Sequence, residues 1–247
     1  MISVIIPVYN EEGCLLKNDV YYQVISQVGE LIFVDGESTD NTGVLARKLG
    51  RVINTPKNRA IQMNMGAAEA KHNILLFLHV DAVIHLENFQ QIVKVIEYRK
   101  YIGGCFTQIL DGPSPVYRWI AWTGNVRAKL SKVFYGDQAI FVRKDVFQQL
   151  GGFPEVKIGE DVLFTKKLRR AGKVGILPYA VHCSARRWEK QGILKTFLLN
   201  FRINTALVWN QNLNQVANAY QDVRENSKVK CQFPPNDIQE FEQLLEQ

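Results

Sequence analysis

The 247-residue sequence predicts an α/β fold: a mostly parallel sheet covered by helices on both faces, with a C-terminal helical extension. Three observations carry that expectation. Short apolar runs alternate with helix-period segments through the first hundred residues, as in repeated β-α units. These runs are apolar on both faces, as central parallel strands are. They also end in polar residues, Asn10 and Glu11, then Asp35, then His79 and Asp81, and in such sheets ligands bind beyond the C-terminal strand ends.

The elements follow in order. Ser3 to Val8 is the first strand, with Pro7 near its end, where a missing N–H does least harm. Tyr9 to Glu12 leads into a helix. Glu30 to Val34 is the second strand and runs into the turn-rich segment Asp35 to Thr42. Thr39 or Asp40 is expected to cap a helix that stops at Gly50, and Val52-Ile53 forms a short third strand. Asn58 to Ala70 reads as a helix, with Arg59 and Gln62 in its first turns. Asn73 to Asp81 is a buried strand. In an extended chain His79 and Asp81, two residues apart, point the same way and could face one cation. Glu87 to Tyr98 is an amphipathic helix.

The second half is less regular. Gly103 to Leu110 is a strand, and Val116 to Leu130 a helix carrying Tyr117, Trp119 and Trp122. Tyr135 to Gln138 precedes a strand over 139–142, and 145–150 is a short helix. Gly159-Glu160-Asp161 opens a helix through Arg170, where acidic residues also suit the helix dipole. Val174 to Leu177 and Ala180 to Cys183 read as two strands. A long helix is expected over 193–220, then a tail, 221–247, with a break at Pro234-Pro235 and a small acidic helix over 237–245.

Charge and cysteine usage narrow the function classes. The net charge is +6, and residues 118–202 hold 17 Lys/Arg against 6 Asp/Glu, so the excess lies in one basic block. Such a block suits an anionic substrate, a phosphate-rich lipid surface or nucleic acid. Cys14, Cys105, Cys183 and Cys231 are far apart, which argues against zinc and predicts free thiols in a reducing compartment. The N-terminus lacks the pattern of a signal peptide, and no window matches a spanning helix, so a cytoplasmic protein touching membranes at most peripherally is expected.

The motifs also carry a resemblance. Ser3 to Glu11 and Val34 to Thr42 resemble the two opening motifs of family 2 glycosyltransferases, which have the Rossmann-like GT-A fold. Arg59 to Ala67, Phe77 to Ala82, Tyr135 to Gln138, Gly159 to Val162 and Ser184 to Trp188 are similar to the radical-SAM/selenodomain-associated transferase 2 subgroup. The resemblance spans about residues 1–220: a nucleotide-sugar-binding half over 1–100, an acceptor-binding half over 101–190 and the long helix. It implies an inverting, hexosyltransferase-type enzyme that moves a sugar from a nucleotide-diphosphate donor to an acceptor, with a lipid-linked acceptor allowed and nucleic acid not expected.

By that resemblance, Pro7, Tyr9, Glu11 and Asp35 hold the nucleoside. Arg59, Gln62, His79, Arg187 and Trp188 complete the donor site, and Gly136 and Asp137 border the acceptor. Asp161 is the base that takes the acceptor proton, with Glu160 the neighbouring candidate. Asp81, with His79, would ligate Mn2+ or Mg2+ as a Lewis acid on the leaving phosphate. His79 stands where the broad family has an acidic residue, which favours Mn2+ over Mg2+ or makes His79 a partner of Asp81. Two other readings compete. A sugar-phosphate nucleotidyltransferase would need a basic, Gly-rich loop after the first strand, where Asn10-Glu11-Glu12-Gly13 is acidic. A non-catalytic nucleotide-sugar-binding regulator would have lost its metal site at His79.

Overall fold

The first strand, β1 (Ile2–Val8), is buried at all seven positions, yet its side chains serve two cores. Ile2, Val4, Ile6 and Val8 join one apolar cluster and Ile5 the opposite one, as the period of two requires. The structure, a computed structural model, describes residues 1–112 and 114–208. Its sheet runs β3-β2-β1-β4-β7-β6-β8-β5. Four of the seven pairings among the described residues are parallel, so the expected mostly parallel α/β sheet is what forms.

The chain leaves β1 through two short helices, α1 (Glu12–Lys17) and α2 (Asp19–Ile25), and returns as β2 (Gly29–Asp35). Helix α3 (Thr42–Leu49) then leads to the edge strand β3 (Arg51–Asn54), and α4 (Arg59–Glu69) carries the chain back across β1 to β4 (Ile74–Phe77). The strand order reverses between β1 and β4, and a crevice opens beyond their ends. Pro7 sits in a central strand without cost. Ile5 O accepts from Leu78 N at 3.0 Å, so Ile5 and Pro7 turn toward β4, and the paired register stops at Ile5 and Phe77.

Beyond β4 come β5 (Ala82–Ile84), α5 (Leu86–Glu97), β6 (Gly103–Asp111) and α6 (Pro115–Ser131). After them lie a 3-10 turn at Gly136–Gln138, β7 (Ile140–Arg143), α7 (Lys144–Gln149), α8 (Glu160–Ala171), β8 (Val174–Ser184), α9 (Arg186–Gln191) and α10 (Ile193–Val208). Core residues of α1, α2, α3 and α5 lie in one cluster, and those of α4, α7 and α8 in the other. The second core holds Phe77, Phe147, Phe153 and Phe164, whose ring centroids lie 4.8 to 5.4 Å apart.

Several expectations need correction. The opening strand of the site ends at Phe77, four residues earlier than the apolar run suggested. A turn closed by Ala82 N donating to His79 O at 3.0 Å follows, so His79 and Asp81 are not alternate positions of one extended strand. The short strand β5 had no separate signal. The two strands over 174–183 are one, β8. Its register against β6 jumps from Phe106–Leu177 to Thr107–Ala180, so Pro178 and Tyr179 form a bulge that reads as a break. The α3 cap is Asn41 by position, and Asp40 helps by accepting from Thr42 N at 2.9 Å. Cys105 and Cys183 are free and buried, but Cys14 is disulfide-bonded, against the expected free thiol. The helix expected over 193–220 is described to Val208, and the tail lies outside the described residues.

Candidate active site

Two loops at the ends of β1 and β2 are stitched together before any substrate enters. Asn10 adopts φ 51°, a left-handed conformation that asparagine tolerates. Its amide donates to Ser38 Oγ at 2.9 Å and its side chain accepts from Thr39 N at 2.8 Å. Glu11 N donates to Thr42 Oγ1 at 2.7 Å. Asp35 Oδ1 accepts from both the amide and the hydroxyl of Ser38. A Cβ on Gly43 would lie 2.9 Å from Asp35 Oδ2, so glycine lets the start of α3 close over this carboxylate.

Helix α4 delivers the next group. Asn58 caps it, accepting from Ala60 N and Ile61 N at 2.9 and 3.2 Å, which fixes Arg59 at the first helical position. The helix lies unusually close to the sheet: a Cβ on Gly66 would fall 2.5 Å from Ile5 Cγ2. Gln62 Nε2 donates to Val8 O at 2.9 Å and Val34 O at 2.7 Å, tying together the ends of the two strands.

The cleft beyond these ends encloses about 500 Å3, within the usual range for small-molecule sites. Of the residues expected from sequence, Arg59, Gln62, His79, Asp81, Gly136, Asp137, Asp161, Arg187 and Trp188 line it. Pro7, Tyr9, Glu11, Asp35 and Glu160 are not part of that lining. Tyr9 carries Lys57 Nζ 3.8 Å from its ring centre, and Lys57 itself lines the cleft.

Two arginines organise the floor. Arg59 Nε lies 2.7 Å from Glu160 Oε1, and its Nη1 lies 3.3 Å from His79 Nε2. Guanidinium nitrogens only donate, so in this contact His79 Nε2 is the acceptor. Glu160 is 2% exposed. Burial pushes its carboxyl upward against the pull of Arg59, while Glu160 raises Arg59. Glu160 therefore serves as counterion to Arg59 and not as a second exposed carboxylate.

Arg186, which the sequence offered only as part of the Arg186-Arg187-Trp188 motif and not as a separate donor-site residue, pairs with two carboxylates. Its two terminal nitrogens meet the two oxygens of Glu11 at 2.7 Å each, and its Nε meets Asp81 Oδ2 at 2.8 Å. Glu11 is 1% exposed. The Arg186 guanidinium titrates far above its ordinary range, because Asp81 and Glu11 outweigh its burial. The sequence did signal a pair of adjacent arginines, and the end of β8, where Ser184 N donates to Asp81 O at 3.2 Å, sets Arg186 beside Asp81.

Asp161 stands at the start of α8. Its Oδ2 accepts from Gly136 N at 2.6 Å and its Oδ1 from Val162 N at 2.7 Å. Glycine at 136 lets the imidazole come close: a Cβ there would lie 2.8 Å from His79 Nε2. Asp137 Oδ2 accepts from Gln108 Nε2 at 2.7 Å, and its Oδ1 is buried without a partner. Burial, with Asp161 nearby, pushes the Asp137 carboxyl upward despite the Gln108 hydrogen bond.

As arranged, a divalent ion on Asp81 and His79 would have to displace two arginines. Asp81 Oδ2 is turned to Arg186 and the acceptor nitrogen of His79 to Arg59. Among the described residues no group of three or more His, Cys, Asp or Glu could hold a metal.

A Rossmann-like sheet with a polar cleft at its switch point defines the class: an open α/β protein whose ligand site lies beyond the C-terminal strand ends. The model of glycosyl transferase family 2 matches residues 3–151, and the chain belongs to that family. No curated protein matches it. Among solved structures, TarS 1–349 of S. aureus in complex with UDP-GlcNAc is 18% identical with a TM-score of 0.59, over 74% of this chain and 58% of that one. The mannosyltransferase PcManGT from Pyrobaculum calidifontis in complex with GDP-Man and Mn2+ is 19% identical with a TM-score of 0.60, over 81% and 64%. The chain thus spans about three fifths of the length of those proteins, and the likeness shows a GT-A fold.

Proposed function

We propose that this cleft binds a nucleotide-diphosphate sugar and transfers the sugar, with inversion, to an acceptor hydroxyl. The observation that carries the reading is that Arg59, Arg187 and Asp161 line one cleft at the switch point of a family 2 domain. Two neighbours of the same fold hold UDP-GlcNAc and GDP-Man. The ordered motifs support membership of the radical-SAM-associated transferase 2 subgroup.

Each residue then has a task set by its chemistry. The end of β1 and Asp35 receive the nucleoside, with Tyr9 and Lys57 at the side. As the sugar–phosphate bond breaks, negative charge grows on the leaving diphosphate. Arg59, Arg187 and Lys57 line the cleft to meet it, and a preorganised guanidinium stabilises that charge without reorganising. Glu160 holds Arg59 in place and Glu11 holds Arg186. Asp161 takes the proton of the attacking hydroxyl. The N–H groups of Gly136 and Val162 hold its two oxygens in place, and it takes the proton as the hydroxyl attacks the anomeric carbon. The unpartnered Oδ1 of Asp137 suits a hydroxyl of the acceptor. Mn2+ or Mg2+ on Asp81 would require Arg186 to yield, so no step is assigned to a metal.

The test is turnover of a panel of UDP-, GDP- and dTDP-sugars, read as release of nucleoside diphosphate. Wild-type turnover that falls by about 10²–10⁴ in Asp161→Asn supports the enzyme. Tight nucleotide-sugar binding with no turnover of any donor supports the regulator instead.

A further inference from the structure

Helix α6 is two-faced. Tyr117, Ile120, Ala121 and Ala128 are buried, whereas Val116, Trp119, Trp122, Val126 and Leu130 are 36–80% exposed. At 100° per residue the exposed set spans an arc of about 120°, opposite the buried one. Helix α10 continues the surface: Leu194, Phe197 and Leu198 are 72%, 43% and 52% exposed, and the rings of Trp119 and Phe197 lie 6.4 Å apart. Single exposed apolar residues are ordinary. Eight on two touching helices, with two tryptophans among them, are not.

The charge carried by these two helices has one sign, although Glu189 of α9 lies near Tyr117. Helix α6 carries Arg118, Arg127 and Lys129, α10 carries Lys195 and Arg202, and neither contains an acidic residue. Arg118, Lys129, Lys195 and Arg202 are exposed. A protein partner of mixed charge would leave these cations unmatched, whereas an anionic bilayer surface matches both features. Tryptophan favours the interface, aliphatic side chains enter the acyl boundary, and basic residues reach the headgroups. Among the described residues no helix is long and apolar enough to cross a membrane. We therefore propose that the α6–α10 face docks the protein on anionic lipid.

The face is joined to the cleft. Ile203, on the side of α10 opposite Leu194, Phe197 and Leu198, lines the cleft and packs against Val133 and Val162, so one helix carries the docking face outward and a cleft wall inward. That the docked leaflet also presents the acceptor, as a lipid-linked phosphate, rests on the transferase reading. Docking itself does not.

The test is co-sedimentation of the full chain with phosphatidylcholine vesicles, with and without phosphatidylglycerol. Binding is expected only with the anionic lipid, falling in high salt. Trp119→Ser/Trp122→Ser should weaken it roughly tenfold or more, Lys129→Glu/Lys195→Glu should abolish the lipid preference, and Tyr98→Ser should leave it unchanged. Leu194→Ser/Leu198→Ser repeats the test on the other helix, with folding checked by circular dichroism. Failure to bind anionic vesicles, or binding that the tryptophan and leucine pairs do not weaken, overturns the proposal. So does self-association that disappears in Trp119→Ser/Trp122→Ser, which would assign the face to a second copy. Nucleotide-sugar turnover without lipid is a separate readout: its absence refutes the transferase and leaves docking standing.

Discussion

Removing Arg186 tests the framework of the site most severely. Arg186→Ala deletes three charge-assisted contacts at 2.7, 2.7 and 2.8 Å. Asp81, with a side chain 20% exposed, can recover some hydration, but Glu11 at 1% cannot. The cost is that of removing one partner of a buried ion pair, about 3–5 kcal/mol. For an m-value of about 2–3 kcal/mol/M, the urea midpoint should drop by roughly 1–2.5 M. Glu11→Gln in the same chain removes the buried charge, and a neutral amide costs less to bury, about 1–3 kcal/mol. The double variant should therefore be more stable than Arg186→Ala. A loss below about 1 kcal/mol for Arg186→Ala, as for an exposed pair, would refute the reasoning. So would a double variant no more stable than the single.

Three other outcomes are expected. Burial raises the Asp137 carboxyl, so its contribution to stability is complete below the ordinary carboxylate range and is lost as pH rises through the raised value. The melting temperature of Asp137→Asn relative to wild type should therefore climb from about pH 4 to about pH 8, and a flat difference contradicts this. Gly66→Ala would set a methyl 2.5 Å from Ile5 Cγ2 and should cost about 1–3 kcal/mol in urea unfolding, despite alanine's better helix propensity. With Arg186 on Asp81 and Arg59 on His79, calorimetric affinity for nucleoside diphosphate should change less than about tenfold between EDTA and Mn2+; a larger gain with Mn2+ would mean the metal displaces Arg186.

Much of the fold was legible because its signals are local. The runs at Ser3–Val8 and Glu30–Val34 are buried on both faces, and a strand of that kind shows in sequence as an unbroken apolar run. Asn58 announces α4 as a cap does. What failed was set by tertiary contacts. Leu78 is as apolar as Phe77, but the ladder ends between them, so the run overshot into the turn holding Asp81. Pro178 bulges out of β8 and looked like a gap. In the site, residue types were read more easily than pairings. Arg59 and Glu160 are 101 positions apart, and Arg186 and Glu11 are 175 apart; no periodicity connects them. The outward turn of Trp119 and Trp122 was hidden because an amphipathic helix does not reveal which face finds a neighbour.

The central claim is that Asp161 performs chemistry on a nucleotide sugar held by this cleft. The most direct measurement is a calorimetric titration of a turned-over UDP- or GDP-sugar into wild type and Asp161→Asn, paired with the release of nucleoside diphosphate by each. The account predicts affinities within about threefold of each other, and turnover lower by about 10²–10⁴ in the variant. Equal turnover by both proteins would contradict it.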